Sequence, residues 1–455
     1  KYVIDKERAL GYRGKCVEPV FHITEEIIRR IKASTQKTNS EITVFEIGGT
    51  VGEYQNAIFL EAARILKLKN PKDVMVVMVS YLPIPNNLGE IKTKPRQKAV
   101  RQRKYNGVNA DMIIARSEVP IDHKRKEKIA LATGVPADNV ISAPDIESIY
   151  DVPINFEKDG LSKRVLEYFG LKPRQKDLKE WRMMVAKRRN KKKELKIAVV
   201  GKYFDTGDFM LSDAYLSVIE AVKFSSFWQN AKPSLTWLNS KEYEANPKKL
   251  SELKKFDGVI VPGGFGESGI EGVIMAIKFA RENKIPYLGL CYGMQLAVVE
   301  YCRTVLGWKD ANTAEINPKA SRLVVDIMPE QKKNLEEGNY GATMRLGAYP
   351  AVLKKWTIAQ NAYAKARDKK YRGRKILERH RHRYEINPEY IDEIEKAGMI
   401  FSGKSPDGRL MEIVELPRSA HPFFLGVQFH PEFKARPLSP HPLFDAFVKA
   451  CLKGK

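Results

Sequence analysis

The sequence predicts an α/β protein of two successive units, and three observations carry that prediction. Short apolar runs that read as buried strands recur at residues 43–46, 74–79, 112–115, 197–200 and 259–261. Helical patterns lie between them, as at 212–224 and near 272–282, and such alternation is the mark of a parallel sheet with crossover helices. A polar, basic stretch holding Lys187-Arg188-Arg189-Asn190-Lys191-Lys192-Lys193 parts the two series and reads as a linker, helical around 178–185. The expected division is a first domain over residues 1–172, a linker over 173–195 and a second domain over 196–455. With 455 residues, 43% of them hydrophobic, both units have enough chain for a proper core.

In the first unit the apolar run Ile42-Thr43-Val44-Phe45 ends at Glu46, just before the turn Gly48-Gly49. An α/β fold places ligands at strand ends, and a carboxylate there suits a Mg²⁺ ion carried on nucleotide phosphates. Further along, Lys92 and Lys94 stand two apart in Gly89-Glu90-Ile91-Lys92-Thr93-Lys94-Pro95-Arg96-Gln97. On an extended turn they point to one side, a compact cationic clamp for a triphosphate. Thr93 and Gln97 add polar contacts, and Pro95 stiffens the loop.

In the second unit Val259-Ile260-Val261 runs into Pro262-Gly263-Gly264-Phe265-Gly266. The N–H groups of that glycine turn, with that of Tyr292, are candidates for an oxyanion hole. Next comes Gly289-Leu290-Cys291-Tyr292-Gly293-Met294-Gln295, a cysteine between two glycines where a strand pattern meets a helix pattern. That is the shape of a nucleophile elbow, and the helix N-terminus behind it favours the thiolate form. The bland alternative is a small buried apolar thiol. Near the end, Val427-Gln428-Phe429-His430-Pro431-Glu432-Phe433 sets His430 and Glu432 two apart. On an extended segment both project to one side, so His430 can hold the thiol's proton while Glu432 orients the ring.

Two nucleotide-like motifs carry no such role. Gly398-Met399-Ile400-Phe401-Ser402-Gly403-Lys404-Ser405 fits the phosphate-loop pattern, but a helix pattern precedes it and a strand pattern follows, so a hairpin is expected. Gly264-Phe265-Gly266-Glu267-Ser268-Gly269 fits the dinucleotide fingerprint without an acidic-ended second strand at the right spacing.

The elbow, the glycine turn and the His-x-Glu together resemble the class I glutamine amidotransferases over about residues 196–455. The resemblance implies a catalytic triad of Cys291, His430 and Glu432, with glutamine held by Gly264, Tyr292, Gly293, Met294, Gln295, Glu315 and Arg383. Within it Glu315 takes the α-amino group and Arg383 serves the amino-acid end of the site.

The first third resembles the synthetase domain of the CTP synthase family. The residues that carry this are His22-Ile23-Thr24, Phe45-Glu46-Ile47-Gly48-Gly49-Thr50-Val51-Gly52, the Gly89–Gln97 segment and Ala143-Pro144-Asp145-Ile146-Glu147-Ser148-Ile149-Tyr150. The implied fold is the remainder of a phosphate-loop-type (P-loop) parallel-sheet synthetase domain followed by a class I amidotransferase α/β domain. The implied enzyme is a carbon–nitrogen ligase that aminates UTP to CTP with ATP, using ammonia channelled from glutamine. UTP contacts fall on Lys92, Thr93, Lys94, Pro95, Arg96, Gln97 and Lys128, ATP contacts on Asp145 and Ile146, and a Mg²⁺ ligand on Glu46. The product CTP, as feedback inhibitor, meets Glu53-Tyr54-Gln55, where an amide at Gln55 replaces the family's carboxylate. GTP is implied as an activator, since Thr343-Met344-Arg345-Leu346-Gly347 matches part of the family's lid region. A homotetramer is implied as well.

The family's opening strand, lysine-bearing phosphate loop and helix have no counterpart ahead of Lys1-Tyr2-Val3-Ile4. The chain therefore reads as an N-terminally truncated copy, and a glutaminase without ligase activity is the alternative expectation. Cys16, Cys291, Cys302 and Cys451 show no paired spacing or metal-ligand cluster, which points to a reducing cytoplasm. No apolar run reaches membrane-spanning length. The formal charge of +24, from 79 basic against 55 acidic residues, exceeds what nucleotide ligands explain. It brings no nucleic-acid recognition motif with it, so no specific nucleic-acid partner is expected.

Overall fold

The computed structural model describes residues 1–49, 53–83, 107–174, 177–190, 193–201, 215–327 and 344–454. These divide into two units, Lys1–Leu178 and Lys179–Lys455.

The first unit holds helices α1 (Tyr2–Arg8), α2 (Pro19–Thr38) and α3 (Ala57–Lys69), then β1 (Val77–Tyr81), β2 (Met112–Ser117), α4 (His123–Thr133), β3 (Val140–Pro144), α5 (Val152–Lys158) and α6 (Leu161–Tyr168). The strands form a parallel sheet in the order β1-β2-β3, with Val77 opposite Met112 and Ile113 opposite Val140. Alternation along each strand buries Met78, Ile113, Ala115 and Val140, and Ile129 of α4 closes over them. α4 starts where the Asp122 carboxylate accepts the Arg125 N–H at 2.8 Å, a side-chain N-cap. The strand expected at 43–46 is not formed. That segment is irregular and exposes Val44 and Phe45, because no described strand lies alongside to complete a ladder.

The second unit opens with α7 (Lys179–Arg189), inside the stretch expected to be a linker. Lys187, Arg188 and Arg189 fill its last turn, yet Met184 and Val185 are buried, and Lys187 donates to Asn230 at 3.3 Å beside the Trp228 ring. The division between units falls ahead of this helix, at Leu178/Lys179. The basic residues thus share a helix whose middle packs inward at Met184 and Val185, and that helix falls within the second unit.

There follow β4 (Lys193–Gly201), α8 (Leu216–Trp228), β5 (Ala231–Asn239), α9 (Ser240–Ala245), β6 (Gly258–Val261), α10 (Ile270–Glu282), β7 (Tyr287–Leu290), α11 (Tyr292–Thr304), β8 (Ala311–Thr313) and β9 (Arg322–Ile327). The rest is β10 (Arg345–Leu353), α12 (Ile358–Ala364), β11 (Lys375–His382), β12 (Tyr384–Ile386), α13 (Ile391–Lys396), β13 (Ile400–Lys404), β14 (Met411–Glu415), β15 (Phe424–Val427) and α14 (Pro442–Lys453). Among the described residues one sheet of nine strands runs β11-β10-β13-β14-β15-β7-β6-β4-β5. From β15 to β5 it is parallel, and from β15 outward to β11 it is antiparallel. A small sheet, β12-β9-β8, lies apart in hydrogen bonding.

The core packs α10 and α11 on the sheet through Val259, Val261, Ile277, Met294, Val298, Phe401 and Phe424. Gly293 lets α11 lie this close, since a Cβ there would stand 2.3 Å from the Val261 carbonyl oxygen. The Gly398–Ser405 motif ends α13 and forms β13, which pairs antiparallel with β14, so the expected hairpin is what the segment makes.

Candidate active site

β7 and β15 are parallel neighbours, with Leu290 opposite Val427, and both strands end at the same edge of the sheet. Cys291 follows β7 directly and turns the chain into α11 with φ 50° and ψ −98°. A non-glycine residue with positive φ is strained, and here the strain lifts the thiol out of the strand line. The Cys291 N–H donates to the Val427 carbonyl at 2.6 Å, which pins the elbow to the neighbouring strand.

Past β15 the chain brings His430 to the same edge. Its N–H donates to the Arg379 carbonyl of β11 at 2.7 Å, and Phe433 stacks on its ring. Its Nδ1 lies 2.7 Å from Glu432 Oε1, and the ring also bonds to Cys291. Burial alone would push His430 down, but the charges of Glu432 and Cys291 and the hydrogen bonds to them hold it well above the ordinary imidazole range. A cationic ring is the partner that a nucleophilic thiolate requires. The ring is also hemmed in by backbone, because a Cβ on Gly263 would stand 2.8 Å from its Cε1.

The glycine turn after β6 is held by two bonds. Gly266 donates its N–H to Glu315 at 2.9 Å, and its carbonyl accepts from the Tyr292 hydroxyl at 3.1 Å. Burial raises Tyr384 first of all, the nearby Glu315 raises it further, and Arg383 pulls it back. Glu315 and Arg383 are thus brought to one tyrosine, from β8's end and from the turn before β12. Gln295, in the first turn of α11, donates to the Tyr384 carbonyl at 3.1 Å and to Gln428 at 3.3 Å.

Behind Cys291, His430 and Glu432 lies a buried polar layer, whose Arg345 was expected in a GTP lid and whose histidines and glutamates were given no role. Arg345 bonds Glu385 at 3.0 Å and Glu412 at 2.8 Å, and His380 Nδ1 meets His382 Nε2 at 2.9 Å. Burial and the neighbouring cations hold both histidines neutral, His380 at about 2 and His382 at about 3. Alternation along Glu378-Arg379-His380-Arg381-His382 is the signal that was available, since every second residue of β11 is buried.

In the first unit the expected nucleotide residues are placed separately. Glu46 is exposed on the irregular segment after α2, and Lys128 is exposed on α4. Tyr54 is 94% exposed on a single 3₁₀ turn with Gln55, where Glu53 accepts from Asn56. Asp145 pairs with Arg116 at 3.7 Å just after β3, with Ile146 half-buried next to it. The segment Lys92, Thr93, Lys94, Pro95, Arg96 and Gln97, and Thr343 of the lid motif, lie outside the described residues. Among the described residues no group of three His, Cys, Asp or Glu side chains is arranged to hold a metal ion.

Comparison with known proteins agrees with this geometry. Residues 1–171 match the family described as CTP synthase N-terminus, and residues 210–450 match glutamine amidotransferase class-I. The CTP synthase of Pyrococcus abyssi is 47% identical over 455 residues, which is all of this chain and 81% of the relative. The chain belongs to the CTP synthase family. The CTP synthase of Sulfolobus acidocaldarius is 45% identical over 446 residues, 98% of this chain and 81% of the relative. Among solved structures, the glutaminase domain of Trypanosoma brucei CTPS with bound acivicin is similar at 36% identity. It has a TM-score of 0.50 and covers 57% of this chain and 94% of that one. Both halves of a CTP synthase are matched, so this is a glutamine-hydrolysing ligase, and the alternative of a glutaminase domain alone is set aside. ATP, UTP and glutamine are its family's substrates. No helix of the described residues is long and apolar enough to cross a membrane.

Proposed function

We propose that Cys291, His430 and Glu432 are the triad that frees ammonia from glutamine, and that the ammonia aminates UTP after ATP phosphorylates its carbonyl oxygen. One observation carries this: a strained elbow thiol bonded to a buried histidine that a carboxylate 2.7 Å away holds cationic.

Glutamine is seated with its α-amino group at Glu315 and its amino-acid end near Arg383. Cys291 Sγ attacks the side-chain amide carbon, and the oxygen gathers charge against N–H groups of the Gly263–Gly264 turn and the α11 N-terminus. His430 gives its proton to the departing nitrogen, leaving a glutamyl thioester. Water, deprotonated by His430, then releases glutamate and restores the thiolate. Glu432 keeps Nδ1 protonated and in line throughout. Gly264, Tyr292, Gly293, Met294 and Gln295 form the floor on which the amide lies.

On the synthetase side Lys92 to Gln97 and Lys128 are proposed for UTP, Asp145 and Ile146 for ATP, and Glu53, Tyr54 and Gln55 for CTP. Mg²⁺ carried on nucleotide phosphates takes only one or two carboxylates from protein, and exposed Glu46 fits that modest demand. When bound, the ion offsets phosphate charge. GTP activation is proposed from the resemblance of Thr343-Met344-Arg345-Leu346-Gly347 to the family's lid, supported by a cavity of about 560 Å³ lined by Leu346, Arg379, Arg381, Phe433 and Lys434, while Arg345 itself is held in its ion pairs with Glu385 and Glu412. A homotetramer is proposed from the resemblance, and a cytoplasmic location from four cysteines without paired spacing.

The test is Cys291→Ala with glutamine hydrolysis as the readout. Loss of at least ~10³-fold is expected, as for other nucleophile deletions. A glutamine-like electrophile should label Cys291 and spare Cys16, Cys302 and Cys451. Wild-type hydrolysis by the alanine variant would refute the assignment.

A further inference from the structure

Gln428 lies inside the His430 motif but has no part in the triad. It follows Val427 directly, as Cys291 follows Leu290, and those two preceding residues are partners across β15 and β7. Its Nε2 is 3.7 Å from Cys291 Sγ, within reach of a hydrogen bond to sulfur, and the side chain is fully buried.

The direction of that amide is fixed by its neighbours. The Tyr384 carbonyl can only accept, so it takes the Nε2 of Gln295, 3.1 Å away. The same Nε2 then faces Gln428 Oε1 at 3.3 Å, which leaves the Gln428 N–H group on the sulfur. A single backbone carbonyl thereby dictates that the sulfur meets a donor and not an acceptor. The Gln428 backbone is pinned as well, its N–H donating to the Glu412 carbonyl at 2.9 Å.

A buried thiolate is costly unless its charge is met by donors, and one imidazolium satisfies only one side of the sulfur. We propose that Gln428 is a further catalytic residue of the glutaminase site: its carboxamide N–H donates to the Cys291 sulfur and stabilises it as the attacking thiolate. This rests on Cys291 being the nucleophile and adds a second donor to the triad. The ionisable groups around the sulfur are His430 and Glu432 on the turn after β15. Behind Gln428 stand His380 and His382 of β11, Glu412 of β14 and Arg345 of β10. His380 Nδ1 is engaged with His382 Nε2 at 2.9 Å, His382 Nδ1 lies 3.2 Å from the Tyr384 carbonyl, and Arg345 is ion-paired to Glu412 at 2.8 Å, so these groups are committed to one another.

The experiment compares wild type with Gln428→Met, which keeps the volume and removes the donor. Gln428→Glu, which keeps the shape and presents only acceptors when ionised, is the second variant and carries the test if the first does not fold. Each is checked by thermal melting, then followed by iodoacetamide alkylation across pH with peptide mapping, and by glutamine hydrolysis. In both variants alkylation of Cys291 at neutral pH should fall about tenfold or more, the size of one hydrogen bond to a charged group. The rate should go on rising at alkaline pH where wild type has levelled off. kcat should fall by a similar factor with KM changed less than about twofold, since the contact is made to the reacting atom. If wild type is labelled elsewhere and keeps its glutaminase activity, the nucleophile assignment is wrong and this inference falls with it. If wild type is labelled at Cys291 and the folded variants match it in pH profile and kcat, Gln428 is only packing while the triad stands.

Discussion

Gly263→Ala tests how tightly the histidine is seated. Gly263 does not have a positive φ, so alanine meets no backbone penalty there. What it meets is the His430 ring: the new methyl would lie 2.8 Å from Cε1, 3.6 Å from Nδ1 and 3.7 Å from the Cys291 Cβ. A carbon–carbon contact needs about one ångström more. The ring cannot retreat freely, because Phe433 stacks behind it, Glu432 holds Nδ1 at 2.7 Å and the His430 N–H is tied to Arg379. Relief must come by tilting the ring away from Cys291 or stretching the Glu432 bond. A misplacement of that size costs about ten- to a hundredfold in rate. Overpacking costs roughly 1–2 kcal/mol, partly offset by the smaller entropy of the unfolded alanine chain. The variant should therefore melt close to wild type while its kcat for glutamine hydrolysis, measured as glutamate release, falls by at least about tenfold. A folded Gly263→Ala protein with wild-type kcat would show that the ring has slack, and the tight seating argued here would be wrong.

Glu432→Gln should lower glutaminase kcat by about ten-thousandfold, as loss of an orienting carboxylate does elsewhere. It should also change stability with pH. His430 is raised in the fold, so its contribution is full below the ordinary imidazole value and fades as pH climbs through the raised one. The wild-type advantage in melting temperature should accordingly shrink toward alkaline pH, and a constant difference would argue against the coupling. Asp445 on α14 is raised by burial to about 6, against the pull of Ser225 and Lys449, so its ionisation costs stability as pH rises through that value. Asp445→Asn should gain on the order of 2–3 kcal/mol at pH 8 and nothing below the ordinary carboxylate range, read from urea melts; no gain at pH 8 would count against it. Met184→Ala should cost about 2–4 kcal/mol, whereas serine at Lys187, Arg188 and Arg189 together should cost far less. Equal melting of the two variants would restore the view of this stretch as a spacer.

The candidate site was legible where its proposed chemistry has a local signature. An elbow cysteine between glycines and a histidine two before a glutamate are readable because strand-to-helix turns and extended segments impose those spacings. Gln428 was not, although its motif was in view, because its contact with sulfur comes from the register of two strands more than a hundred residues apart in sequence. Gly263 was read as a source of N–H groups, and its lack of a side chain proved to matter as much. The apolar run at 42–45 has the composition of a strand, but a strand needs a neighbour, which composition does not reveal. In α7 the run of lysine and arginine drew attention away from Trp181, Met184 and Val185, whose spacing already traced an apolar stripe. Nothing local in the sequence says that the antiparallel half of the large sheet continues the parallel half.

The position of β15 has a consequence for the birth of the protein. In space this strand is the hinge pin between the parallel and antiparallel halves, while in sequence it is the last strand of all. A ribosome that has made everything through β14 has produced two half-sheets, each with a bare edge, at β7 and at β14. Such edges invite pairing with other chains, and closing them demands a late contact between distant segments. Nascent chains should thus depend on shielding until residues 424–432 emerge. The same nine residues bring His430 and Glu432, so the proposed Cys–His–Glu arrangement is assembled only when the sheet closes.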